Sequence, residues 1–227
     1  EAAHARHHDD AALHVRRVQV RTFEEWVAEQ YRRLFPRLPR RIREITPAGV
    51  QRLKLHPALG TALEEHVRRE AGPATAAQVI DDWAQVLGEP AFLGEVFARV
   101  APGAFGPEEL RRACAWHRER YDELRAWCSG DASAEGEIDA EDEALLLRAW
   151  QLRVGPLPGR GEQALRYRHV AVDEVQDFSP LEVQVLLGCL DAHRSVTLAG
   201  DTQQHVVEQG GFTSWAAFLA QLGLEGT

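Results

Sequence analysis

"HVAVDEVQDFSPLE", residues 169–182, is the stretch on which the reading of this chain turns. "HVAV" is short and continuously apolar, the pattern of a strand covered on both faces of a parallel sheet. Asp173, Glu174 and Asp177 follow within five positions. Carboxylates this close repel one another, and a positive partner such as a metal ion or a phosphate-bound magnesium gives the cluster a reason. Ser179-Pro180-Leu181-Glu182 then combines a capping box with proline at the first helical position, which predicts a helix to about Leu190. "SVTLAG", residues 195–200, predicts a second buried strand, and Thr213 or Ser214 opens a last helix closed by Gly223. Strand, helix and strand over about thirty residues make a βαβ unit with a right-handed crossover.

Working outward, "VRRVQVRTFEEWVAEQYRRLF" (15–35) reads as a short strand followed by a helix. Thr22 and Glu25 have capping-box spacing, while Phe23, Trp26, Val27, Tyr31 and Leu34 recur at helical period until Pro36. From residue 36 to about 155 the pattern is helix after helix, with no strand and no internal repeat. Thr46-Pro47 and Thr75 mark helix starts, Gly106-Pro107 opens a long helix, and Asp139 with Asp142 starts "AEDEALLLRAWQL". Along the long helix Leu110, Cys114, His117, Tyr121, Leu124 and Cys128 form a stripe. Three segments result: 1–35, 36–155 and 156–227.

The 227 residues carry a net charge of −9, but the charge is divided unevenly. Residues 1–125 hold 20 Lys and Arg against 19 Asp and Glu; residues 126–227 hold 6 against 16. Overall acidity argues against a surface that binds nucleic acid everywhere, though not against a local basic patch. No apolar run is long enough to cross a bilayer, and the first residues lack signal-peptide character. Three widely spaced cysteines spell neither a disulfide framework nor a zinc site, which suits a reducing, cytoplasmic setting. The absence of methionine leads us to expect a piece of a longer protein.

In open α/β sheets, ligands bind beyond the carboxyl ends of parallel strands. Here one strand end delivers Asp173-Glu174 and the next delivers Gly200-Asp201 with Gln203-Gln204, a set suited to a nucleoside triphosphate. Asp can hold magnesium, Glu can orient and deprotonate a water, and Gln can sense the terminal phosphate. The plainer alternative is that these acids solvate strand ends and cap helices.

These motifs carry a resemblance. "VAVDEVQDFSPLEVQVL" resembles motif II of superfamily 1 helicases of the UvrD/Rep type, with its apolar-Asp-Glu-x-Gln-Asp pattern. "SVTLAGDTQQ" resembles motif III, Gly-Asp-x-x-Gln after a strand, and "VRTFEEW" resembles the Thr-Phe-containing motif Ib. Helicase-IV-like members are the most similar in feel. The resemblance covers roughly 165–204 and 18–35. It implies an α/β fold: a partial RecA-like parallel sheet with a large all-helical insertion. It also implies ATP and magnesium as cofactors, DNA as partner, and the remaining helicase domains as neighbours. Asp173 would coordinate magnesium and Glu174 would be the catalytic base. Gln176 and Asp177 would couple the nucleotide site to neighbouring motifs, with Asp201 beside them, and Gln204 would contact the terminal phosphate.

The chain departs from the pattern in one large respect: it contains no Gly-x-x-x-x-Gly-Lys-Ser/Thr loop, and its one lysine, Lys54, lies in "RLKLHP". By the resemblance that loop would precede Glu1, and the domain with the arginine finger would follow Thr227. The base-stacking aromatic expected after motif III is replaced by "HVVEQGGFTSW", where Phe212 or Trp215 stands nearest. Two other readings share these features: an accessory or RNA-polymerase-associated protein-binding module, and part of a helicase-nuclease subunit.

"YRRLFPRLPRRIRE" places Arg32, Arg33, Arg37, Arg40, Arg41 and Arg43 in twelve residues, interleaved with Tyr31 and Phe35. Guanidiniums that grip phosphates beside stacking aromatics describe a single-stranded DNA track. The alternative is a solvated basic face. No Cys or acid stands at ligand spacing with supporting context around His4, His7, His8 and His14, and they read as a solvated terminus. His117 reads as a packed core histidine. Trp26, Trp83, Trp116, Trp127, Trp150 and Trp215 read as core anchors.

Overall fold

The structure, a computed structural model, describes residues 18–159, 161, 163–201 and 214–224. Helix α1 (Phe23–Leu34) begins where expected: the Thr22 hydroxyl accepts the Glu25 N–H at 3.2 Å. Glu24 and Glu25 in its first turn and Arg32 and Arg33 in its last complement the helix dipole. After it come β1 (Arg41–Ile42), α2 (Ala48–Leu55), α3 (Pro57–Arg69), α4 (Ala76–Gly88), α5 (Pro90–Val100) and α6 (Pro107–Cys128). The chain continues through β2 (Glu137–Ile138), α7 (Ala140–Arg153), β3 (Tyr167–Val172) and a 3-10 turn at Val175–Asp177. It ends in α8 (Pro180–Leu187), β4 (Leu190–Leu198) and α9 (Trp215–Leu222).

The described residues are thus mixed α/β and mainly helical, with two small parallel two-stranded sheets among them. Four expectations need correction. The segment 36–155 is not all helical, because Arg41 and Ile42 pair in parallel with Glu137 and Ile138. Residues 18–22 form no strand ahead of α1. Helix α8 stops at Leu187 rather than near Leu190, and β4 starts at Leu190, not Ser195. At Gly188, just past the helix, the chain runs close against α7: a Cβ there would lie 2.4 Å from Gln151 Nε2. Between Tyr167↔Leu190 and His169↔Ser195 the register shifts, and residues 191–194 bulge outward with Arg194 at φ 48°.

The fourth correction concerns burial. Val170, Val172, Val196 and Leu198 pack with α8 and α9 around Val183, Leu187, Phe218 and Leu222, but His169, Ala171, Ser195 and Thr197 on the alternate positions are exposed. One face of the β3–β4 pair is covered, not both.

The three sequence segments share a core. Trp26 and Tyr31 of α1, Leu145 to Leu147 of α7, and Leu181 and Val185 of α8 belong to one apolar cluster with Leu59, Trp83, Leu93 and Phe97. Two ionic clusters lie inside it. Lys54 Nζ, fully buried, donates to Asp139 Oδ2 (2.6 Å) and Asp142 Oδ2 (2.7 Å), and Trp83 Nε1 donates to Asp142 Oδ1 (3.1 Å). Arg153 grips the buried Asp82 with two bonds of 2.7 Å, and His66 Nε2 lies 3.2 Å from the same carboxylate. His117 is a core histidine as expected, its ring edge-on to Trp83 at 4.6 Å, and burial holds its pKa well below the ordinary value. Cys114 and Cys189 are buried thiols and Cys128 is exposed. Among the described residues no helix is long and apolar enough to cross a membrane.

Candidate functional site at the strand ends

The carboxyl ends of β3 and β4 lie side by side and are tied together. Ala199 N donates to Val172 O, and Val175 N donates back to Ala199 O, both at 2.9 Å. Between these bonds the chain turns sharply. Glu174 sits in the left-handed region (φ 50°, ψ 42°), which a non-glycine residue rarely adopts and which often marks functional sites. That kink converts the strand into the 3-10 turn and leaves Asp173, Glu174 and Asp177 exposed, while Val175 and Gln176 go inside.

Gln176 is the link between the two strand ends. Its Nε2 donates to Glu174 Oε2 at 2.5 Å, and its Oε1 accepts the Asp201 N–H at 3.1 Å. One amide therefore orients the Glu174 carboxylate and simultaneously anchors the backbone after β4. Gly200 makes this possible: a Cβ there would stand 2.4 Å from Gln176 Oε1 and 3.0 Å from Val175 Cγ1. The glycine of "AGDTQQ" is thus required for close approach, a reason that spacing alone did not supply. Asp173 Oδ1 accepts the Glu174 N–H at 3.0 Å, which steadies the acid at the tip of β3.

Neighbouring elements buttress the turn. Ser179 forms the expected capping box, its N–H and Oγ both donating to Glu182 Oε2 (2.7 and 2.8 Å), and burial raises the Glu182 pKa. Phe178 meets Phe23 edge to face at 5.3 Å, and Trp26 Nε1 donates to the Tyr167 hydroxyl at 2.9 Å. The "TFEEW" segment is thereby packed beside β3. Between them runs a groove of about 420 Å³ that Thr22, Phe23, Tyr167, Asp173, Asp177 and Phe178 help to line.

Because the three acids are exposed, water and salt screen their repulsion, and the cluster is tolerable without a bound cation. Among the described residues no group of three or more His, Cys, Asp or Glu is placed to hold a metal. Asp173 still fits the way magnesium is held in nucleotide sites, by one or two carboxylates with phosphates and water completing the shell. Gln203, Gln204, Phe212 and the terminal histidines lie outside the described residues. Trp215 is partly buried against the β3–β4 core, a packing role.

The arginine run divides. Arg32, Arg33, Arg37, Arg40 and Arg41 are exposed. Arg33 donates to Gln30 and to Gly159 O, and Arg41 pairs with Glu137 at 2.8 Å. Arg43 does not belong on an outer track: its side chain is 10% exposed and lies against Glu137 (3.3 Å) and Asp139 (3.4 Å). Tyr31 and Phe35, the interleaved aromatics, are both buried in the core, so neither can stack on a base. The only exposed Trp, Tyr or Phe among the described residues is Trp127, expected to be a core anchor and 37% exposed instead. Compared with known protein families, with curated proteins and with solved structures, the chain matches none.

Proposed function

We propose that this chain is part of the first motor domain of an ATP-dependent DNA helicase or translocase, its β3–β4 unit being a portion of a RecA-like sheet. The observation that carries the reading is the Gln176 bridge, which joins Glu174 after one strand to the backbone of Asp201 after its parallel neighbour. A device that makes the position of one acid depend on the next strand end suits a site that must sense a phosphate and report it. An ion-capped strand end has no need of it.

On this reading Asp173 holds magnesium and Glu174 takes the proton of the attacking water. Gln176 positions Glu174, Gln204 contacts the terminal phosphate, and Asp177 faces the groove beside them. Magnesium, when bound with the nucleotide, neutralises charge on the transferred phosphate. The exposed arginines Arg32, Arg37, Arg40 and Arg41 take the phosphates of single-stranded DNA. The 227-residue chain, lacking a Gly-x-x-x-x-Gly-Lys loop, turns over no ATP by itself.

The test is DNA-stimulated ATP hydrolysis by the full-length protein. Glu174→Gln should lower kcat by about 10²- to 10⁴-fold, the usual contribution of a general base, with nucleotide affinity kept. Gln176→Leu should lower kcat with little change in KM. Undiminished turnover in Glu174→Gln overturns the proposal. Turnover by the 227-residue chain that Glu174→Gln abolishes overturns the statement that the chain is inactive by itself.

A further inference from the structure

A single-strand track needs both a phosphate grip and a face on which bases stack, and the second is missing from the arginine run because Tyr31 and Phe35 are interior. The fold brings one from some ninety positions away. Trp127 lies in the last turn of α6, and contacts on either side hold it beside the arginines. Its neighbour Cys128 donates through Sγ to Arg37 O at 3.5 Å. On the other side the five-membered ring rests on Gly136, where a Cβ would stand 2.3 Å from Trp127 Nε1 and 2.7 Å from Cδ1. Glu137, the next residue, is paired with Arg41 both through the β1–β2 ladder and by the 2.8 Å ion pair. An indole wedged in this way, yet 37% exposed, is a rigid apolar platform that loses little freedom on binding.

We propose that Trp127 is a base-stacking residue of a single-strand nucleic-acid site whose phosphates run along Arg37, Arg40 and Arg41. The inference rests on the single-strand reading of the arginine run and is independent of the strand-end acids. The local charges agree with the division of labour. Residues 32–41 contain five arginines and no acid, which suits phosphates. The loop after Trp127 carries Asp131 and Glu135, which turn phosphates away and are indifferent to the neutral face of a base. An acidic peptide would use the arginines and have no use for the indole.

Two fluorescent probes of equal length separate the contributions: an oligothymidine and an abasic oligomer with the same phosphates and no bases. Trp127→Ala should weaken oligothymidine binding about tenfold, the usual effect of one lost stack, and leave the abasic oligomer unchanged. Arg37→Ala, Arg40→Ala and Arg41→Ala together should weaken both probes and reduce the log–log salt slope by about 2, at about 0.7 per phosphate contact. Trp127→Phe should retain affinity, whereas Trp127→Leu, which fills the space without a π face, should lose it; this pair serves if the alanine variant does not fold. Equal losses on both probes, or none, remove Trp127 from the site. Binding of neither probe to the wild type refutes the single-strand reading itself, and a protein ligand becomes the occupant of the arginine face.

Discussion

Replacing Lys54 by Met tests the ionic cluster at the centre of the helical core. Methionine keeps most of the aliphatic volume and removes the charge that Asp139 and Asp142 share at 2.6 and 2.7 Å. Burial alone works against a charged Lys54, and the two carboxylates overcome that and raise its pKa. Burial likewise pushes Asp142 up to about 6, while Lys54 holds Asp139 below the usual range against the same burial. Without the ammonium, two interior carboxylate oxygens that both lay within 2.7 Å of it repel by at least about 3 kcal/mol at an effective dielectric near 20. Breaking a buried pair from one side typically costs about 3–5 kcal/mol. For a chain of this size each kcal/mol lowers Tm by about 2–4 °C, so thermal denaturation at pH 7 should show a fall of about 6–20 °C. The sign with pH is specific. In the variant both carboxylates have folded pKa values above their unfolded ones. The native state therefore binds protons more tightly, and the deficit shrinks as pH falls from 7 to 5. A Tm change below about 2 °C at pH 7, or a deficit that grows towards acid, refutes the argument.

Burial pushes Glu143 up to about 7, with Arg32 opposing. A carboxyl raised in the folded state contributes stability below its unfolded pKa and loses it as pH rises through about 7. Glu143→Gln should therefore gain on the wild type between pH 5 and pH 8, by at most about 3 kcal/mol, and parallel Tm curves would exclude this. Ser179→Ala removes the cap of α8 and the hydroxyl donor to Glu182, leaving only the backbone N–H of residue 179 on that carboxylate, and should cost about 1–2 kcal/mol in chemical denaturation. Ser214→Ala, at the exposed start of α9, should cost less; the reverse order would argue against the buried capping box as the stronger contact.

Local chemistry was legible in the sequence wherever it acts over three or four residues. Thr22, Thr75, Ser179 and Ser214 cap the helices their spacing announced, Asp139 with Asp142 closes a capping box, and Gly223 ends α9 in the left-handed conformation. The turn of acids after β3 was legible too, because an apolar run followed by Asp-Glu has few other readings. Tertiary structure decided what no periodicity encodes: which side of each residue meets which distant element. Lys54 and Arg43 look like surface cations in the sequence, yet the fold buries both against Asp139, more than eighty residues away. Tyr31 and Phe35 look interleaved with arginines, but the fold packs both into the core, and the aromatic left beside those arginines, Trp127, arrives on a distant helix. Gly200 reads as a loop glycine until Gln176 closes over it. Capping is a contest between neighbours in the chain, whereas burial and charge pairing are settled by whichever surfaces the core brings together, and those surfaces come from residues far apart in the sequence.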